Sequence, residues 1–566
     1  MAEIVNVAAR LAAAAQAWPH ATAVIEPQGR DRDGRRRYVG FSFRELDQDS
    51  DVLALGLREM GVTAGTRLAL LVRPGFDFIS LVFALFKVGA VTVLVDPGMG
   101  LRGLVRCLEE SEPEGFIAVP AVHAVRCLLR RRFRRARFHV TLGRRWFWGG
   151  TTISRMRRSA PSAQLAATGA DDPAAIIFTS GSTGPAKGVL YRHGNFDHQV
   201  TEIRDRYGIQ PGGIDLAGFP LFGLFNCAMG VTTVVPVMDA SRPATVDPAN
   251  IVEAIHDCRV TQAFASPAVW QRVGAYCVER GIRLRTLRRV LSAGAPVPVA
   301  VLEQMKECLD QGCEMHTPYG ATEALPVASI SAAEVLGDTA AATRRGAGVC
   351  VGRRFPGIEW RVIRAVDGPL PTIADTEELS PGAIGELIVK GEVVTSEYVT
   401  RVESNARAKI ADGTTVWHRM GDVGYIDARE RFWYCGRLAQ RVLTPRGPLS
   451  TEQCEAIFNN HPAVFRCALV GLGPADQVQP VIIVEPRPGR RPADARAERK
   501  LFAELRALAR ERPLTAEIET FLWHPSFPVD VRHNAKIFRE KLAVWAAEKV
   551  TKGKPRRHPR RRQPGE

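Results

Sequence analysis

The sequence predicts an α/β fold: a large N-terminal body of parallel sheets sandwiched by helices, a β-rich subdomain, and a small α+β domain at the C-terminal side. Three observations carry this. Residues 40–175 alternate apolar strands with helical segments, residues from about 350 to 430 turn to short strands with glycine turns, and past Gly436-Arg437 a third texture mixes helices with two strands. Alternating strand and helix text implies a parallel sheet covered on both faces, because each crossover lays a helix on it. At 566 residues the chain can bury a substantial core.

The elements follow in order. "MAEIVNVAARLAAAAQAWPHATAV" reads as an amphipathic surface helix, with no basic region leading into an apolar run and so no export pattern. "TRLALLVR" (66–73) reads as a buried strand, "FDFISLVFALFKVG" (76–89) as a helix and "AVTVLVD" (90–96) as the next strand. Residues 217–238, "AGFPLFGLFNCAMGVTTVVPVM", carry no charge over 22 positions, long enough to span a bilayer. Pro220, Pro236, three glycines and a shift to β-branched residues instead split them into a short buried helix and a strand. The alternation resumes at "VTQAFASP" (260–267) and "LRRVLSAGAPVP" (287–298). "GIEWRVI", "GAIGELIVKG" and "TTVWHRMGDVGYID" make the β-rich part. A helix over 450–464 follows, then strands "FRCALVGLG" and "PVIIVEP", and the charged run 487–500 leads into further helices. The expected division is 1–437, 438–548 and a basic disordered tail, 549–566.

Composition narrows the classes. Hydrophobic content of 46% and charged content of 24% are those of a soluble globular protein. The net charge of +16 is local: residues 126–158 hold 12 Arg and no acid, and residues 549–566 hold 8 Lys or Arg and one Glu, which leaves the rest near −3. A solvated face and a free tail explain such patches; an anionic membrane surface at 126–158 is the alternative. Nucleic acid is disfavoured, because the patches lack an aromatic-interleaved recognition fold. The exception is "RRWFWGG" (144–150), which suits a membrane surface or a partner enzyme of the same pathway. Eleven cysteines form no CxxC and no ligand cluster, which fits reduced packing cysteines and a cytoplasmic protein, peripherally membrane-associated at most.

"IIFTSGSTGPAKGVLYRHGN" (176–195) is the most informative stretch. A buried strand ends in Thr179, Ser180, Gly181, Ser182, Thr183 and Gly184, with Lys187 three residues on. Glycines let successive N–H groups face one concavity, and hydroxyls add donors and metal contacts, which suits a polyphosphate. The spacing is not that of a P-loop, since Ala186 stands where a glycine would precede the lysine.

TSGSTGPAKG resembles the phosphate loop of the adenylate-forming superfamily of acyl-CoA synthetases, adenylation domains and luciferases, and further signatures follow in order. "SAGAP" (292–296) resembles the segment whose backbone borders adenine, here at Gly294 and Ala295. "YGATE" (319–323) resembles the motif in which Tyr319 stacks on adenine beside Gly320, Thr322 meets the α-phosphate and Glu323 helps hold Mg²⁺, with Thr183 as a second metal contact. Asp422, in "HRMGDVGYID", matches the ribose-binding aspartate, and Arg437, in "YCGRLAQRV", matches the hinge arginine that contacts ribose and phosphate. Lys536, in "PVDVRHNAKI", matches the catalytic lysine of a small mobile domain, with Ala535 where glycine is usual. ATP and Mg²⁺ are the implied cofactors. Taken singly, Glu323 reads better as a helix-start carboxylate and Asp422 as a turn residue; their order and company favour the binding roles.

The departures concern the second half-reaction. Ala439 replaces the usual Asp or Lys at the hinge, and Pro445 and Pro448 flank Gly447 in the loop that receives the CoA nucleotide in CoA ligases. Prolines fix φ and remove donors there, so no CoA is expected. "RHNAKIFREKLAVWA" with "CEAIFNNHPAVFRCALVG" resembles the β-lactone synthetases of bacterial long-chain olefin biosynthesis. That resemblance implies adenylation of a long-chain 2-alkyl-3-hydroxyalkanoic acid and attack by its own 3-hydroxyl. The charge-free stretch with Phe219, Phe222, Leu224 and Phe225 lies where the family lines its acyl site; His193 and His533 are the candidate bases, a structural role being favoured for His193. A long-chain fatty acyl-CoA synthetase shares every adenylation residue and is the enzymatic alternative; anionic-surface or nucleic-acid binding through the basic patches is the non-enzymatic one.

Overall fold

The computed structural model describes residues 4–159, 165–179, 184–474, 477–529 and 537–553. They fall into two compact units, the larger built from residues up to 340 with 350–433, the smaller from 341–349 and the chain from 434 onward. The fold is mixed α/β, as the alternation of strand and helix text predicts.

In the larger unit one seven-stranded sheet runs Thr151–Thr152, Phe138–Thr141, Gly115–Ala118, Arg67–Leu71, Val91–Leu94, Pro173–Phe178, Gly188–Arg192. All neighbours are parallel except the last pair, an antiparallel hairpin in which Phe178 faces Gly188. The glycine-rich loop therefore closes a hairpin at one sheet edge. Helix Phe76–Val88 is buried around almost its whole circumference, against helices Ala8–Ala17, Phe43–Glu59 and Phe222–Ala228. That is the environment its nearly uninterrupted apolar text requires. Its one cation, Lys87, is paired with Asp47 at 2.6 Å and Asp51 at 2.5 Å.

The second sheet has a parallel core of Thr232–Val234, Ile214–Ala217, Gln262–Ala265, Arg289–Ser292 and Glu314–Ala321. It continues antiparallel through Ala324–Ser331 to Val349–Arg354. The β-rich text forms Glu359–Ile363, Gly385–Lys390 and one long strand, Thr415–Ile426. Pairing with Gly385–Lys390 slips between Glu386, opposite Val423, and Ile388, opposite Arg419, so two extra residues of the long strand bulge out. Gly421, at φ +65°, makes the bulge at no steric cost.

Residues 217–238 become the short helix Phe222–Ala228 and the strand Thr232–Val234, and among the described residues no helix is long and apolar enough to cross a membrane. Among the described residues the cysteines form no disulfide.

The smaller unit holds an antiparallel pair, Val464–Leu472 with Gln479–Pro486, and a parallel third strand, Thr520–Trp523. Period-two alternation splits its core: Cys467, Leu469, Ile482 and Val484 pack with Cys454, Phe458 and Leu505, while Ala468, Val470, Val481 and Ile483 pack with Leu542 and Ala546. The first helix is shorter than its text suggested, Thr451–Phe458, because Asn459 turns to accept from the Cys467 amide and Pro462 blocks continuation. The last helix, Arg539–Gly553, runs past 548 into the stretch expected to be tail, where Lys549 complements the helix dipole.

Candidate active site

The site is built on the hairpin Glu314–Ala321/Ala324–Ser331, whose tip is Thr322-Glu323. Glu323 is thus a turn residue and does not start a helix. Gly320 is required: a Cβ there would stand 2.6 Å from the Ala324 carbonyl. Tyr319 donates its hydroxyl to the Asp422 carboxylate. Asp422 is buried in the bulged strand, not in a turn, and the bulge at Gly421 is what re-aims it toward the hairpin.

Three contacts fix the tip. Glu323 Oε1 accepts the Tyr398 hydroxyl at 2.5 Å. The Glu323 carbonyl accepts from the Thr395 amide at 2.9 Å and its hydroxyl at 3.0 Å. The Thr322 carbonyl accepts the Tyr191 hydroxyl at 2.6 Å. Two cations face the Tyr398 ring, Lys187 Nζ at 4.3 Å from its centroid and Lys409 Nζ at 5.7 Å. Burial lowers the Lys187 pKa against the pull of Glu323; the same opposition holds at Lys409, pushed down to about 7. Lys409 also donates to the Thr395 carbonyl. Two amino groups whose charged forms burial disfavours, beside one carboxylate, would be drawn to their charged forms by an anionic ligand.

The glycine-rich loop is pinned at both ends: the Thr179 amide donates to the Lys187 carbonyl at 3.0 Å, and the Lys187 amide to Thr179 Oγ1 at 3.1 Å. Gly184 is described, at φ +158°, while Ser180, Gly181, Ser182 and Thr183 lie outside the described residues. Gly294, at φ +92°, and Ala295 form the turn after Arg289–Ser292, the parallel neighbour of the strand that carries Tyr319.

The apolar segment connects to this tip through rings. Phe222 stacks on Phe264 with centroids 3.6 Å apart and meets Phe225 at 5.5 Å. Phe225 meets Phe196 at 6.3 Å, and Phe196 stacks on Tyr191 at 5.0 Å, whose hydroxyl holds Thr322. Phe219 is partly exposed at the start of the ladder, and Leu224 is buried. Beneath it, Asp215 is fully buried and accepts from Asn226 Nδ2 at 2.7 Å; burial pushes its pKa up to about 7. The raised value means that stability is full below the unfolded pKa near 4 and declines as pH rises toward 7. Urea unfolding of Asp215→Asn should therefore show a benefit over the parent that grows between pH 4 and 8, by up to roughly 4 kcal/mol; a benefit that does not change with pH would show that Asp215 is ionised throughout.

The structure thus groups Lys187, Thr322 and Glu323 through Tyr398 and Tyr191, and Tyr319 with Asp422. It does not bring His193 to them: the ring is buried against Phe86 at 5.6 Å with no polar partner for either nitrogen, and burial lowers its pKa to about 4. Arg437 belongs to the smaller unit. His533 and Lys536 lie outside the described residues. Sequence reasoning missed Tyr398, Lys409 and Tyr191. Tyr191 at least lies inside the quoted motif, whereas Tyr398 and Lys409 sit in polar loop text with no spacing to mark them.

Residues 11–399 match the model of the AMP-binding enzyme family, and the chain belongs to that family. Over 556 residues it is 46% identical to the olefin beta-lactone synthetase of Xanthomonas campestris pv. campestris, covering 97% of this chain and 98% of that one. The same identity over 97% of this chain and 99% of the relative holds for the olefin beta-lactone synthetase of Stenotrophomonas maltophilia. Among solved structures, ATP-bound MatB from Rhodopseudomonas palustris shares the fold, with a TM-score of 0.76, 20% identity, and coverage of 96% of this chain and 99% of that one.

Proposed function

We propose that the protein adenylates a long-chain 2-alkyl-3-hydroxyalkanoic acid with ATP and then closes it to a β-lactone, releasing pyrophosphate and AMP. The observation that carries this is the 46% identity to olefin beta-lactone synthetases over nearly the whole of both chains. In the first step a carboxylate oxygen attacks the α-phosphorus and pyrophosphate leaves. In the second, the 3-hydroxyl attacks the acyl carbon, the bond to AMP breaks, and the hydroxyl proton is released. Holding both groups in one pocket supplies the effective molarity that ring closure needs.

In this reading Asp422 binds the ribose hydroxyls, Tyr319 and the Gly294-Ala295 turn border adenine, and Lys187 with the 179–184 loop holds phosphate. Among the described residues no group of three or more His, Cys, Asp or Glu could hold a metal. A single carboxylate, Glu323, fits Mg²⁺ carried in by the nucleotide, since that ion keeps waters and phosphate oxygens as its other ligands. When bound it would neutralise charge gathering on the phosphate oxygens. Tyr398 orients Glu323, and the ladder from Phe222 to Phe196 offers the apolar wall for alkyl chains. Complex formation with other enzymes of olefin formation also belongs to this reading.

The test is incubation with ATP, Mg²⁺ and a 2-alkyl-3-hydroxy acid without CoA. AMP and β-lactone should appear in equal amounts. Turnover that requires CoA and yields a thioester would make the protein a long-chain acyl-CoA synthetase and end the lactone reading.

A further inference from the structure

At the sheet edge opposite the phosphate hairpin, one helix and one loop turn apolar side chains outward. Helix Pro120–Leu128 buries His123, whose Nε2 lies 3.0 Å from the Val140 carbonyl and whose ring stacks on Trp148 at 5.7 Å. Arg126, on the same inward face, reaches the Trp148 carbonyl at 3.4 Å. The other face presents Ala121, Val125 and Leu128, a spacing of four and three that makes one stripe, and Leu128 is 85% exposed. Trp148 is itself buried, donates to Thr141 Oγ1 at 2.9 Å, and anchors the loop from below. Its neighbours Trp146 and Phe147 pack on it yet stand 61% and 77% exposed.

Charge is dense along the same stretch of chain, from Arg130 to Arg145. Arg132, Arg135 and Arg137 are offset by Glu109, Glu112 and Glu114 at 3.2, 2.8 and 3.1 Å. Among the described residues Arg130, Arg131, Arg134 and Arg144 are exposed and pair with no carboxylate. A bare cationic face would suit water, but rings that expose this much apolar surface do not. Exposed indole and phenyl rings and unpaired guanidinium groups within one stretch of chain match the boundary of an anionic bilayer, where apolar rings enter the headgroup layer and cations meet phosphate.

We propose that this edge, formed by the Pro120–Leu128 helix, Trp146, Phe147 and the unpaired arginines, docks the protein peripherally on an anionic phospholipid surface. Three strands separate Phe138–Thr141 from Pro173–Phe178, so the lipid contact lies roughly 20 Å from the phosphate hairpin at ordinary strand spacing. Docking there leaves the site unobstructed and does not depend on which acid the site takes.

The experiment is co-sedimentation of the full chain with phosphatidylcholine vesicles, with and without phosphatidylglycerol, near physiological salt. Binding should require phosphatidylglycerol. It should fall at least tenfold in Trp146→Ser/Phe147→Ser, and separately in a variant with Arg130, Arg131, Arg134 and Arg144 changed to Gln. All six residues are exposed, so both variants should keep the parent's melting temperature and its turnover of a short soluble acid. A chain ending at residue 553, after the last helix, should bind like the full chain. Absence of binding, equal binding to both vesicles, binding unchanged in either variant, or loss of binding on tail removal alone would overturn the proposal, whatever proteins the surface captures.

Discussion

Lys536→Ala should slow adenylation about 10²–10³-fold, the range seen when one donor to a developing oxyanion is removed. The step gathers negative charge on the α-phosphate oxygens while the carboxylate closes in. An ammonium that met both charges together would stabilise the transition state more than bound ATP. The loss should accordingly fall on kcat, with KM for ATP little changed. Pyrophosphate release measures it. Lactone formation from pre-formed acyl-adenylate should survive, because the phosphate transfer is then already complete. Lys541→Ala is the control: its ammonium lies at the surface, 4.6 Å over the Phe538 ring, and should leave the rate unchanged. Pyrophosphate release unaltered in Lys536→Ala would remove that residue from the mechanism.

Arg419→Met should destabilise the larger unit by about 3–5 kcal/mol, the usual consequence of removing one partner from a buried ion pair. Arg419 and Glu386 are almost wholly enclosed, with guanidinium and carboxylate 2.6 Å apart. The same guanidinium donates to the carbonyls of Gly368 at 2.6 Å and Val366 at 2.5 Å. Methionine leaves a carboxylate and two carbonyls without these donors. Arg419 lies three residues before Asp422 on the bulged strand, so the variant should also weaken nucleotide binding before it unfolds. Adding Glu386→Leu should recover part of the stability, since the unpaired charge goes with it. Urea unfolding within about 1 kcal/mol of the parent for Arg419→Met alone would show the pair to be dispensable.

Text and structure agree where the physics is local. The apolar run at 76–89 needed only to be buried all round, and helix Phe76–Val88 is; the prolines and β-branched residues of 217–238 needed only to break a long helix, and they do. The dipeptide Gly421-Asp422 was legible as a motif, but its cause, a two-residue slip against Glu386–Ile388, depends on a partner strand that no local pattern announces. Glu323 suited a helix start in its local text; the pairing of Ala321 with Ala324 makes it a turn residue instead. Tyr398 lies 75 residues beyond the carboxylate it holds and Lys409 farther still, which is a tertiary fact with no periodic trace.

The ring ladder from Phe264 to Tyr191 ends on the carbonyl of Thr322, the residue expected to meet the α-phosphate. In the proposed reading such a ladder would act as a gauge. An alkyl tail seated fully against Phe222 and Phe225 would leave Tyr191 where it holds the hairpin tip; one too short or too bulky would shift the rings and loosen that tip. Tail length would then be read out at the reacting phosphorus as speed, so acids differing only in their tails would differ more in kcat than in how tightly they bind.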